Sequence, residues 1–210
     1  MDDQTKHKLI TIVIPAAGHS SRMGGTDKLT LPVNNSTLLR STVQKALASL
    51  AGEIVVVIRK TQQIRIKETN GLDVKLVHPK SRKNEMSVSV ISGLNASHAS
   101  SAGILILLPD MPLVETSDIN LLIDKFHPEK IIRASNAKGE PGHPVLFPRR
   151  FFSEIHLTTG DYGPREVIAN HKNVLELVKL DNERALVDLD TPESWARWLS
   201  DHNGGAGEGT

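Results

Sequence analysis

The chain has 210 residues, 39% of them hydrophobic, with a formal net charge of +1 and no cysteine. That length and apolar content suit one domain with a proper core, and the charge balance gives no reason to expect nucleic acid or a membrane as partner. Without cysteine there is no disulfide, thiolate metal site or cysteine nucleophile, and the longest apolar runs, such as 104–108, are too short to span a bilayer.

The charged segment 1–8 lacks the apolar stretch of a secretory signal, so the expected setting is cytoplasmic. It reads with the Gly-rich 203–210 as a disordered tail on either side of a single domain, 9–202. Ile10, Ile12, Val13 and Ile14 read as a buried strand closed by Pro15, which has no N–H for a ladder. Small residues follow (Ala16, Ala17, Gly18, Ser20, Ser21), then the cations Arg22 and Lys28 with Gly24 and Gly25 between them. A polyphosphate needs such a loop: backbone N–H groups approach its oxygens closely and fixed cations neutralise its charge. It is not a P-loop, because no Gly precedes Lys28, and not a dinucleotide fingerprint, because Ser20 stands where the second Gly belongs.

Ser36 is expected to cap a helix to about Leu50, followed by a strand at Glu53–Ile58 and a short helix near Thr61–Glu68. Val74–Val77 reads as a third strand and Met86–His98 as a helix entered through a polar loop. Gly103–Leu108 is wholly apolar and therefore reads as a central strand. Thr116 or Ser117 is expected to cap a helix to about Phe126, and 131–132, 145–147 and 174–178 read as shorter strands. The segment 139–145 is too rich in Pro and Gly for a regular element. Thr191-Pro192-Glu193 opens the last helix, with Thr as cap and Pro in the first turn. Repeated β-α units imply an α/β fold with ligands at the carboxyl ends of the strands.

Asp110 directly follows the central apolar strand, where an unpaired carboxylate is costly and Mg2+ would compensate by binding it together with phosphate oxygens and water. The bland alternative is an Asp that caps the following turn. Asp188 and Asp190 form a second acidic group ahead of the last helix, where ordinary capping also accounts for Asp188. Lys28 and Arg22 are candidate stabilisers of charge on transferring phosphates. Ser20 and Ser21 read as phosphate hydrogen-bonders, since no His–Asp pair is positioned to activate them. Met86, Ser87 and Ser89 begin a helix whose N–H groups and hydroxyls are open to a nucleotide base or sugar, or simply to capping.

Seven short motifs occur in order along nearly the whole chain: Ala16-Ala17-Gly18-x-Ser20-x-Arg22-Met23-Gly24, Lys28 with Leu31-Pro32, Met86-Ser87-x-Ser89, Asp110-Met111-Pro112-Leu113-Val114, Gly142-His143-Pro144-Val145, Gly160-Asp161-x-Gly163-x-Arg165 and Asp188-Leu189-Asp190-Thr191-Pro192-Glu193. Together they resemble the MobA-like nucleotidyltransferases, and within them the molybdenum cofactor cytidylyltransferases. The resemblance implies a Rossmann-like three-layer nucleotidyltransferase fold with a mostly parallel mixed central sheet. It implies transfer of CMP from CTP to the phosphate of a molybdopterin-type molybdenum cofactor, with release of pyrophosphate. Asp110 and Asp190 would then hold Mg2+, with Asp110, Lys28 and Arg22 catalytic. The nucleotide would lie on Ala16, Ala17, Gly18, Ser20, Ser21, Arg22, Lys28, Met86, Ser87 and Ser89, and the acceptor on His143, Asp161 and Arg165.

In the same resemblance Glu85 and Pro109 depart from the family's small residues, and Ala17 replaces the Gly of guanylyltransferases, which favours CTP over GTP. A molybdoenzyme or its cofactor-insertion chaperone is the implied transient partner. Three other readings stay open: a guanylyltransferase using GTP, a cytidylyltransferase acting on a sugar or polyol phosphate, and a non-catalytic cofactor carrier.

Overall fold

All six residues of Ile10–Pro15 (β1) are buried, because helices cover both faces of this strand. Ile12 and Ile14 enter one apolar layer and Val13 the other, which is the two-residue period of a strand. Each such side chain contributes about 1.5–3 kcal/mol relative to exposure, so the placement of β1 is strongly determined. The computed structural model describes residues 9–20, 23–33, 35–83 and 85–203. The expected tail segments 1–8 and 204–210 lie outside these, and Asn203 closes the last helix.

After β1 comes a short antiparallel ribbon, Pro32–Val33 (β2) with Ser36–Thr37 (β3), and then the helix Leu38–Leu47 (α1). Glu53–Val57 (β4), Gln63–Glu68 (α2), Lys75–Val77 (β5), Met86–Ala96 (α3), Gly103–Ile106 (β6) and Thr116–Asp124 (α4) follow. The last part holds Ile131–Ser135 (β7), Pro141–Pro148 (β8), Phe152–Leu157 (α5), Arg165–Asn170 (α6), Leu175–Lys179 (β9) and Pro192–Asn203 (α7). No helix among the described residues is long and apolar enough to cross a membrane.

The main sheet has the order β5-β4-β1-β6-β8-β7-β9. β8 runs antiparallel to β6 and β7, and the other pairs are parallel. This is the Rossmann-like α/β architecture with a mostly parallel mixed sheet that the resemblance implies. The chain leaves β1 outward to β4 and β5, then returns to set β6 on the other side of β1. Such a reversal opens a crevice at the carboxyl ends of the central strands.

Helices α1 and α4 cover one face through Leu38, Leu39, Val43, Ile119 and Leu122, joined by Trp198 of α7. α3, α5 and α6 cover the other through Val90, Leu94, Ile155, Val167 and Ile168. Gly93 lets α3 lie close on β1, since a Cβ there would stand 2.3 Å from Val13 Cγ1. That close seat brings the first residue of α3, Met86, to the crevice.

Local signals misplaced some ends. Thr37, not Ser36, caps α1, its hydroxyl accepting from the Arg40 N–H, while Ser36 pairs with Val33 in the ribbon; the helix stops at Leu47. Glu115 precedes α4 in a reciprocal capping box with Asp118, in place of Thr116 or Ser117.

The larger correction is 139–145, most of which lies in the strand β8. Its prolines are tolerated because the register against β7 slips between Arg133 and Ser135, and an irregular pairing can spare N–H groups. Gly142 has its own reason. A Cβ there would sit 1.8 Å from the Ala185 carbonyl oxygen, which accepts from the His143 N–H at 2.9 Å. We expect Gly142→Ala to cost about 1–3 kcal/mol, read as a lower urea midpoint at unchanged slope. An unshifted midpoint would show that the backbone at Ala185 yields freely.

Candidate functional site

The loop leaving β1 is shaped from behind. Ala16 O accepts from Arg65 Nη1 at 2.6 Å, Ala17 O from Arg59 Nε at 3.2 Å, and Gly18 O from Arg65 Nη1 at 2.7 Å and Gln62 Nε2 at 2.9 Å. In a trans peptide the N–H points opposite to the carbonyl, so the amides of Ala17, Gly18 and His19 turn away from these side chains. None of the three donates to a backbone acceptor among the described residues. A run of outward amides is an anion-binding concavity.

Lys28 begins a 3-10 turn, Lys28–Thr30, capped by Asp27, whose Oδ1 accepts from the Leu29 N–H at 3.2 Å. Asp110 follows β6 after Leu107, Leu108 and Pro109. Asp190 precedes α7, whose entry is fixed by a reciprocal pair: Ser194 N–H to Thr191 Oγ1 and Thr191 N–H to Ser194 Oγ, each 3.1 Å. The expected cap at Thr191 is therefore in place. A main-chain bond, Leu189 N–H to Asp110 O at 2.9 Å, ties the two acidic segments together.

Lys28 Nζ donates to Asp110 Oδ2 at 2.5 Å and to Asp190 Oδ1. Burial pulls the Lys28 pKa down, but Asp110 and then Asp190, by charge and hydrogen bond, outweigh it and hold the ammonium above its ordinary 10.5. Lys28 is thus charged at neutral pH. Asp110 Oδ1 is buried without a hydrogen-bond partner among the described residues, a costly state for a carboxylate oxygen. No group of three or more His, Cys, Asp or Glu stands ready for a metal among the described residues. Two carboxylates at a cavity, one with an unpartnered oxygen, are hard oxygen donors of the kind that suits Mg2+.

A cavity of about 190 Å³ is lined by Gly18, Ser20, Lys28, Arg65, Met86, Asp110 and Asp190, among others. A second, of about 50 Å³, is lined by His143, Asp161, Arg165, Val145 and Ile106, and shares Met86 and Leu108 with the first. Ala16 and Ala17 are buried, and Ala17 belongs to the apolar layer that holds Val13 and Val57. Neither residue lines these two cavities, and the Ala16 N–H and carbonyl are both engaged, with Val57 O at 2.9 Å and Arg65 Nη1 at 2.6 Å.

Ser87 and Ser89 are buried and line neither cavity, and the Ser87 N–H goes to Gly160 O at 3.2 Å. Asp161 and Arg165 form no ion pair with each other among the described residues. Ser21 and Arg22 lie outside the described residues.

Sequence reasoning missed Arg59, Gln62 and above all Arg65, which the fold brings to the loop from α2 and the turn before it. The one available signal was Asp27, an acid directly ahead of the candidate cation that needs a partner of its own.

Residues 12–174 match the MobA-like NTP transferase domain. The chain therefore belongs to the MobA-like NTP transferase family, and it is a nucleotidyltransferase by that membership. It is 25% identical to nicotine blue oxidoreductase of Paenarthrobacter nicotinovorans, over 90% of this chain and 96% of that one. It is 24% identical to molybdenum cofactor cytidylyltransferase of Escherichia coli K12, over 89% of this chain and 93% of that one. The crystal structure of Rv0371c from Mycobacterium tuberculosis in complex with manganese matches with a TM-score of 0.74 at 25% identity, covering 91% of this chain and 98% of that one.

His143 is partly exposed as a residue, yet its Nδ1 is buried without a hydrogen-bond partner among the described residues. Burial first, then the charges of Arg133 and Arg165, push its pKa from 6.5 down to about 3. The unfolded chain binds a proton there that the folded one refuses, so this group removes stability as pH falls from 6.5 toward about 3. We expect the His143 ring signals in NMR to stay constant from about pH 7 to about pH 4, and His143→Asn to flatten that part of the stability–pH curve. Titration near the ordinary value would place the ring in solvent.

Proposed function

We propose that the protein transfers CMP from CTP to the phosphate of a molybdopterin-type molybdenum cofactor and releases pyrophosphate. One observation carries this reading: Lys28, Asp110 and Asp190 meet in a cavity that Gly18 and Ser20 of the loop after β1 also line. The cytidylyltransferase relative supports the choice of nucleotide and acceptor.

The loop amides and the Ser20 hydroxyl would receive triphosphate oxygens, and Lys28 would turn from its carboxylates to the charge growing on the departing pyrophosphate. The acceptor would lie along the second cavity, on His143, Asp161 and Arg165, with its phosphate oxygen directed at the α-phosphorus. No general base is required, because that phosphate is already ionised at neutral pH. Arg22 would add a second cation. Asp110 and Asp190 would hold Mg2+, which when bound supplies neutralisation of the phosphoryl charge. The unpartnered Asp110 Oδ1 fits this role, and a relative's complex with manganese supports a divalent cation.

The Ala17 methyl lies in the core, so preference for CTP rests on the resemblance and not on a narrowed pocket. The test is pyrophosphate release with each of the four NTPs, with and without molybdenum cofactor. We expect cofactor-dependent release with CTP; faster release with GTP would reassign the protein as a guanylyltransferase. Tight cofactor binding with no release from any nucleotide would make it a carrier. Asp110→Ala should lower kcat by about 100-fold or more with the fold intact, and wild-type turnover in that variant would remove the metal-binding role.

A further inference from the structure

We propose that Arg65 is the positioning residue of the nucleotide loop: it holds the loop in its phosphate-receiving shape before substrate arrives and does not contact substrate itself. A guanidinium carries five N–H donors, and every one is engaged here. Nε donates to Asp27 Oδ2 and Nη2 to Asp27 Oδ1, both at 2.7 Å. Nη1 donates to Ala16 O at 2.6 Å and Gly18 O at 2.7 Å, and Nη2 also reaches Ser20 Oγ at 3.1 Å. The guanidinium borders the nucleotide cavity but has no donor left for a phosphate.

Arg65 is only 2% exposed, so losing any partner would strand a buried charged donor. The loop is therefore held in one arrangement. Gripping the Ala16 and Gly18 carbonyls turns the amides of Ala17 and His19 outward. Holding the Ser20 hydroxyl steadies a backbone in the left-handed region, φ 49°, that non-glycine residues rarely adopt. The fork on Asp27 fixes the residue immediately before Lys28, and Asp27 in turn caps the turn that carries Lys28. One side chain thereby sets both the amides and the cation. Asp27 also balances the Arg65 charge, which among the described lining residues leaves Lys28 as the other cation at the cavity. A lysine could not reproduce this, because its donors radiate from one atom and cannot span a carboxylate and two carbonyls.

The inference rests on the reading that this loop receives a triphosphate, and the experiment separates the two. Inorganic tripolyphosphate and CTP, each with Mg2+, are titrated calorimetrically into the wild type, Arg65→Lys and Asp27→Asn, with thermal unfolding followed alongside. Wild-type protein should bind both ligands; failure there would overturn the nucleotide reading itself. Arg65→Lys, folded at the assay temperature, should bind both at least about tenfold more weakly, in the range for loss of charge-assisted hydrogen bonds. In an Arg65→Gly variant, added guanidinium should restore tripolyphosphate affinity while equal ammonium should not, a selectivity that ionic strength cannot produce. If Arg65→Lys does not fold, Asp27→Asn decides, because it keeps the shape and weakens the same fork. Wild-type affinity in a folded Arg65→Lys or, failing that, in Asp27→Asn would overturn the positioning role.

Discussion

Lys28 stands between two carboxylates that belong to distant parts of the chain, and the architecture around the crevice depends on that charge closure. Two carboxylates converging on one point repel each other, so Asp110 and Asp190 need a cation between them. The ammonium offsets that repulsion in a partly buried place, with Lys28 and Asp110 side chains only 15% and 17% exposed. The adjacency of β1 and β6 makes the meeting geometrically available. The loop after one strand and the carboxylate after the other leave the sheet side by side. In the proposed reaction a substrate bearing its own cation would take over both roles, so the closure would be exchangeable.

The two cavities adjoin. Met86 and Leu108 border both, and Met86 is held there because Gly93 lets α3 settle on β1. On the far side, β8 supplies His143 and at the same time braces the segment leading to Asp190 through Ala185. The candidate acceptor wall and the candidate cation site therefore share a support, and Gly142 is where the two backbones touch.

Much of this was legible beforehand, for identifiable reasons. The central strands declare themselves because burial on both faces demands unbroken apolar runs, and Asp110 stands out as a carboxylate at the end of one. Asp190 stood out by its motif, and the structure brings it and Asp110 onto the same ammonium, that of Lys28. Helix starts were off by one or two residues, because Ser, Thr and acidic neighbours compete for the cap and tertiary contacts choose among them. β8 was hidden because its Pro and Gly are read locally as breakers, whereas its neighbours β6 and β7 and the Ala185 backbone make it a strand. Arg65 was invisible for a different reason. Its partners lie at 16, 18, 20 and 27, so nothing in its immediate neighbourhood separates it from a solvated arginine on a short helix.

The bond from the Leu189 amide to the Asp110 carbonyl links the two acidic segments through main chain alone. Every residue except proline offers the same amide, and every residue the same carbonyl, so this tie is blind to spelling. Substitution at 188 or 111, or at 189 by any residue but proline, leaves the spacing of the acidic pair in place. The distance between the two acids is thus written into the main chain, and side chains elsewhere around the crevice can change without resetting it.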